Sequence, residues 1–455
     1  MSRFLTKNLF VPISHARRRR DAAMRPTFEH YEAGMKFRRQ AHDWDEEKKR
    51  EWILNRLHFV VRRAARETIY YKNLFAAMCF DVESDFSFDD FAKIPVLERD
   101  AIHAAGNDLI SQSLAPETLQ KDATGGSTGT PTTIWLGAEE LGWKESGLDF
   151  SMELVGIPLG AKLAYFWGHH LDPQASDDWR SRLKSFAENI RYFDCFRLSP
   201  EIFERYHREF ERWQPDAIVA YASALGHFAE YLKENKIRPK NYPRTCFVTG
   251  AEKLFPEHRK IIEEVFAGKP VHERYGGRDF GVAGIQTNLP RSLDYEIDWA
   301  WTLVEPETDE QNSPILVTKL QADAMPLIRY RVGDVGKFAS DSKPGNPTFH
   351  LEAVVGRELD RIWLPDGRWI HGIELPHLLK DFAVREFVFV QAENYAVELQ
   401  IVPKSDFIEK DAATIQRIIR ANLENLAVNV KLVEAIPRTR ANKWRPVMSN
   451  VKNRR

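Results

Sequence analysis

The chain is poor in cysteine, with only Cys79, Cys195 and Cys246 among 455 residues. They are isolated, so neither a disulfide framework nor the paired spacing of a structural zinc site is present. No apolar run is long enough to span a bilayer. The first residues carry no apolar h-region, so a secreted protein is not expected and the cytosol is the expected compartment. Formal net charge is −1, which argues against a general nucleic-acid binder. The one basic run, Arg17 to Arg20, reads as a solvated terminus. Internal repeats and low-complexity tracts are also missing. What remains is an ordinary apolar content of 43% in a chain long enough for two or three domains.

The most informative stretch is Thr124-Gly-Gly-Ser-Thr-Gly-Thr-Pro-Thr132, with three glycines and five hydroxyl side chains in nine residues. Glycines let backbone N–H groups turn inward and hydroxyls add donors, a composition that suits a polyphosphate. The P-loop spacing is lacking, and no lysine follows the glycines, so the cationic partner must come from elsewhere in the chain.

Residues 28–76 combine many charges with spaced apolar positions (Trp52, Leu54, Leu57, Phe59, Val60) and read as one or two amphipathic helices. Phe86 to Arg99 reads as a loop. From about 123 to 335, apolar runs at Leu163–Trp167, Ala217–Tyr221 and Thr245–Thr249 alternate with helical periods. Leu254, Ile261, Ile262, Val265 and Phe266 fall on one helical face. That alternation predicts an α/β fold, a sheet covered by helices. Near Val355-Gly356-Arg357 the character changes. Phe387–Gln391, Val397–Val402 and Val430–Val433 read as strands, and Ile415, Ile418, Ile419 and Leu426 as one helix face. The expected division is a large N-terminal α/β domain over 1–355, with a helical lead-in over 1–80, and a small α+β domain over 356–455.

Four further segments carry chemistry: Thr249-Gly250-Ala251-Glu252; Arg274-Tyr275-Gly276-Gly277-Arg278-Asp279-Phe280-Gly281; Leu327 to Asp334; and the pair Val355-Gly356-Arg357 with Pro437 to Lys443. In this order they resemble the adenylate-forming superfamily of acyl-CoA synthetases. The similarity is greatest to its phenylacetate–CoA ligase branch, which includes proteins of capsular polysaccharide biosynthesis. Ala65 to Tyr71 and Ile94-Pro-Val-Leu97 look like that branch too.

The resemblance implies a two-domain enzyme with its active site between the domains. A carboxylate attacks the α-phosphate of MgATP, pyrophosphate leaves, and an acceptor such as coenzyme A then displaces AMP. By the same resemblance Thr124, Ser127, Thr128, Gly129 and Thr130 hold phosphates. Gly250, Ala251, Glu252, Tyr275 and Gly276 border the adenine. Asp334 accepts from the ribose hydroxyls, Arg357 contacts ribose or phosphate, and Lys443 bridges carboxylate and α-phosphate. Asp279 ligates Mg²⁺ where the family usually has Glu. Asn442 stands where the family has Gly, and Leu359 where the hinge has Asp. Coenzyme A is the leading acceptor. An amine or hydroxyl acceptor, and a catalytically silent binding protein, stay open, as does a homodimer.

Bland readings stand beside the sharp ones. Asp334 alone is a turn residue, and Lys443 alone is one charge of a basic tail. Glu252 serves equally as a first-turn acid of the following helix. His169, His170 and His227 read as structural. Tyr221 and Ser223 are candidates for lining the acyl or nucleotide pocket.

Overall fold

A computed structural model describes residues 12, 27–123, 132–167, 189–195, 198–357, 361–371, 375–379, 382–404, 406–436 and 446–451. The loop Thr124–Pro131, His169, His170, and Lys443 with its neighbours lie outside them. The chain divides into two compact units. The first is Met1–Val332 with Gly336–Val354, and the second is Gly333–Val335 with Val355–Arg455.

The lead-in forms three helices: α1 (Thr27–Ala41), α2 (Glu46–Glu67) and α3 (Ile69–Ala77). Caps make the breaks that periodicity does not show. Asp45 accepts from the Lys48 N–H to start α2, and Thr68, extended at φ −122°, ends α2 and accepts from Tyr71 to start α3. The expected loop before Arg99 contains a short helix, α4 (Phe88–Phe91), opened by a reciprocal Ser87–Asp90 capping box. Helix α5 (Arg99–Ala105) follows. Leu97 bridges Tyr330 in parallel, and Arg329 binds the carbonyls of Ala92 and Ile94, so Ile94–Leu97 is tied into the core.

Strands β1 (Gln120–Ala123) and β2 (Thr133–Leu136) pair antiparallel on either side of the Gly/Ser/Thr stretch. Helix α6 (Ala138–Leu154) follows β2 directly. Then come β3 (Leu163–Trp167), β4 (Ile190–Asp194), α7 (Pro200–Trp213), β5 (Ala217–Tyr221), α8 (Ala222–Glu234), β6 (Cys246–Gly250), α9 (Pro256–Val265) and β7 (Val271–Gly277). These strands are mutually parallel in the order β4-β3-β5-β6-β7. β5 and β6 are buried at all five positions, as central strands covered on both faces are. Leu254 and Phe266 flank α9 rather than lie in it, because Pro256 opens the helix and Phe266 caps it.

The expected alternation stops at β7. Strands β8 (Gly281–Gln286), β9 (Tyr295–Ile297) and β13 (His350–Leu351) extend the same sheet antiparallel. Strands β10 (Thr302–Pro306), β11 (Asn312–Lys319), β12 (Tyr330–Lys337) and β14 (Ala353–Arg357) make a four-stranded sheet. The short β7–β8, β8–β9 and β10–β11 connections leave no room for crossover helices, so antiparallel hairpins form there.

The second unit has a hairpin of β15 (Arg361–Trp363) and β16 (Trp369–His371). Its sheet is ordered β19 (Val428–Leu432), β18 (Val397–Pro403), β17 (Val384–Gln391), β20 (Val447–Ser449). Helix α10 (Glu409–Asn422) contributes Ile415 and Ile419 to its core. Leu426 lies beyond the helix end. No helix among the described residues is long and apolar enough to cross a membrane.

Candidate adenylation site

Ligands of open parallel sheets sit at the carboxyl ends of the strands, and that is where the first unit gathers its candidates. Thr249 is in register with Glu273, which sets Gly250 beside Arg274; a Cβ on Gly250 would lie 3.5 Å from the Arg274 carbonyl oxygen. Ala251, just past β6, holds φ +65°, a strained conformation for a residue with a Cβ. On the neighbouring strand the β7–β8 register shifts between Tyr275 and Gly276, and a Cβ on Gly276 would collide with the Gly281 carbonyl. The extra residue is Ala283 of β8, so the irregularity lies in the strand opposite Tyr275–Gly276. Tyr275 is buried, with its ring edge near Phe280 and Tyr295.

Asp279 is 6% exposed and accepts a hydrogen bond from the Tyr330 hydroxyl at 3.0 Å. Burial, then the Asp279 charge, push that phenol well above its ordinary value. Among the described residues no three acidic, His or Cys side chains cluster to hold a metal. Mg²⁺ normally takes one or two carboxylates together with substrate phosphate oxygens, so a single inward carboxylate fits that ion.

Glu252 is not in the first turn of α9, which begins four residues later. Its carboxylate accepts instead from the Ser223 backbone N–H at 3.3 Å and hydroxyl at 2.6 Å. It thereby caps the N-terminus of α8, where negative charge is favoured. Ser223 is committed to that contact. Tyr221, the last residue of β5, packs its ring 4.4 Å from Trp167. Its hydroxyl is pushed well up by burial and by Cys195 and Glu252, with Arg278 opposing. His227 stands edge-on to His258 at 5.9 Å, as expected of a helix-packing residue. Burial pulls the Lys253 ammonium down to about 8 against the pull of Glu273.

The motifs did not point to a basic group here. Lys144 of α6 donates to Asp122 at 3.2 Å and to the Arg278 carbonyl at 2.8 Å; the Arg278 guanidinium stands 3.9 Å from the other oxygen of Asp122. Arg278 lies inside the Tyr275–Asp279 segment, so its position was readable. The approach of Lys144 and Asp122 depends on how the β1–β2 hairpin meets α6, which no local pattern encodes.

In the second unit Asp334 and Arg357 come together, Nε to Oδ1, at 3.1 Å. Gly333, at φ +82°, makes the backbone conformation before Asp334 that side chains rarely adopt. Strand β14 carries Arg357.

Known proteins share this architecture. Residues 362–450 match the CapK C-terminal domain family. Protein CapK of Staphylococcus aureus is 24% identical over 79% of this chain and 80% of its own length. Phenylacetate-coenzyme A ligase of Pseudomonas putida is 20% identical over 69% of this chain and 71% of its own. Among solved structures, 2-hydroxyisobutyryl-CoA ligase in the postadenylation state superposes with a TM-score of 0.68 at 19% identity, covering 89% of this chain and 90% of that one. The class is therefore that of the adenylate-forming ligase fold, as the motifs imply. Within it, the chain is similar to CapK and to phenylacetate-coenzyme A ligase, and its residues 362–450 match the CapK C-terminal domain family.

Proposed function

We propose that the protein activates a carboxylic acid as its adenylate, using MgATP, and passes the acyl group to coenzyme A. The observation that carries this reading is the convergence at the carboxyl ends of β6 and β7. There Gly250 and a strained Ala251 end one strand next to the strand that carries Tyr275–Gly276, and the buried Asp279 follows that second strand. A flat ring needs small residues on one side and an aromatic border on the other, which these positions offer. Asp279 would hold Mg²⁺, whose charge offsets the phosphates. Asp334 would take the ribose hydroxyls, with Arg357, its partner in the free protein, turning to ribose or phosphate. Lys443 would neutralise the charge that builds as carboxylate meets α-phosphate, and the Thr124–Thr130 donors would hold the leaving pyrophosphate. A small domain that turns about residues 356–360 between the half-reactions completes the scheme. The cytosol suits such an enzyme.

Pyrophosphate release measured over a panel of carboxylic acids tests the first half-reaction, and addition of coenzyme A the second. Lys443→Ala should lower adenylate formation by roughly 10²–10³. Supplied acyl-adenylate should still react with the acceptor at near the normal rate; equal loss in both steps would remove Lys443 from adenylation.

A second reading keeps adenylation but transfers the acyl group to an amine or hydroxyl during polysaccharide assembly. The resemblance of the motifs to a branch that includes proteins of capsular polysaccharide biosynthesis supports it. Turnover with an amino sugar but not with coenzyme A would select it. Absence of pyrophosphate release with every acid would leave the catalytically silent binder.

A further inference from the structure

The Gly/Ser/Thr stretch offers a polyphosphate hydroxyls and amides but no cation, since none of residues 124–132 is Lys or Arg. The charge has to be brought by residues distant in sequence. Two elements do this. Lys144 stands in the second turn of α6, the helix that follows β2. Arg278 leaves the end of β7, next to Asp279. Their common partner is Asp122 in β1, two residues before the stretch begins.

The three groups are built for exchange rather than for sealing. Lys144, Asp122 and Arg278 side chains are 23%, 25% and 51% exposed. Asp122 turns Oδ2 to the ammonium and Oδ1 toward the guanidinium, the way two oxygens of one phosphoryl group meet two cations. Its Oδ1 also accepts from the Ala123 N–H at 2.8 Å, which fixes the carboxylate. The hydrogen bond from Lys144 to the Arg278 carbonyl holds the ammonium in place without using its charge.

We propose that Lys144 and Arg278 form the cationic seat for the β- and γ-phosphates, and that Asp122 occupies that seat as an internal anion until the nucleotide displaces it. The assignment rests on the adenylation reading for its ligand. An arginine fork and a lysine point charge together match a phosphoryl group better than either alone. The carboxylate spares two like charges from facing each other in the free protein. It also competes with the ligand, which gives the proposal a signature that simple charge loss lacks.

The test is calorimetric titration of the full chain with magnesium pyrophosphate, MgATP and AMP. Lys144→Met and Arg278→Gln should each weaken pyrophosphate and ATP by about tenfold or more, as expected for hydrogen bonds to charged groups. AMP, which lacks both outer phosphates, should change by less than about twofold, and Arg278→Lys should recover part of the loss. Asp122→Asn should tighten pyrophosphate by about two- to fivefold, the worth of a half-exposed ion pair. A thermal midpoint within a few degrees of the parent certifies each variant as folded. Equal losses for AMP and pyrophosphate, or an Asp122→Asn variant that binds pyrophosphate no tighter, would overturn the seat. If the variants follow the expected pattern but no acid drives pyrophosphate–ATP exchange, the seat stands and adenylation falls. If exchange occurs and the variants bind normally, the reverse holds. A parent protein that binds neither pyrophosphate nor ATP overturns both.

Discussion

Helix α6 carries two ionic groups one turn apart, and they differ in almost everything but sequence distance. Glu140 points inward to Lys319 at 2.5 Å, with both side chains wholly buried. Lys144 points to a rim where Asp122 and Arg278 keep a quarter to a half of their surface in water. In the sealed pair, burial pushes Glu140 up to about 7 against the pull of Lys319. Its second oxygen is buried with no hydrogen-bond partner among the described residues. A pair that cannot reach solvent can exchange with nothing, so its role is to fix α6 against the end of β11. A pair at the rim reaches solvent, which the proposed exchange with phosphate requires. Burial, more than charge, separates the two pairs.

The comparison breaks most visibly at the sealed end. Lys319→Met leaves the buried Glu140 carboxyl without its partner, which should cost roughly 3–5 kcal/mol in denaturant unfolding. Converting both partners, Lys319→Met with Glu140→Leu, should return most of that loss. A single variant within about 1 kcal/mol of the parent would show that the pair is not sealed.

The same pair gives a pH signature. The Glu140 carboxyl is raised in the folded state, to about 7 from an ordinary 4.5, so the folded state binds the proton more tightly. Its contribution to stability is therefore greatest below about pH 4.5 and is lost as pH rises toward 7. Losing Lys319 raises that carboxyl further, so the Lys319→Met deficit should grow as pH rises above about 7 and level off below it. A deficit that grows on acidification would contradict the assignment.

Asp334 with Arg357 is a second pair near solvent, with side chains 15% and 37% exposed. If it too trades partners, Asp334→Asn should weaken MgATP by about tenfold while moving the unfolding midpoint little, because a charged acceptor is worth roughly 1.5–3 kcal/mol to the ribose hydroxyls. Unchanged nucleotide affinity would make the pair structural. The smallest effect belongs to Arg39 and Glu153, which join α1 to α6 on the surface at 2.5 Å. Arg39→Ala should cost at most about 1 kcal/mol by denaturant titration. A larger loss would show that this clasp does more than decorate the helix crossing.

What the sequence disclosed follows the same division. β3, β5 and β6 were legible because central parallel strands read as continuous apolar runs. Gly250–Ala251 and Tyr275–Asp279 were marked by the motif resemblance, and the structure sets the strands that carry them, β6 and β7, side by side. The breaks at Asp45 and Thr68 were not, since a cap is one side chain in an unbroken amphipathic pattern. Lys319 ends an apolar run and reads as an exposed strand terminus; only tertiary packing reveals that it is buried. Glu252 looked like a first-turn acid because its target, the start of α8, is 29 residues away.

The central claim is that a carboxylate attacks the α-phosphate of ATP. Oxygen-18 in both carboxylate oxygens of the best-turned-over acid tests it directly. After acyl transfer, one labelled oxygen should appear in AMP and none in pyrophosphate, read by mass spectrometry. Label in inorganic phosphate, with ADP as the nucleotide product, would place the attack at the γ-phosphate and contradict the account.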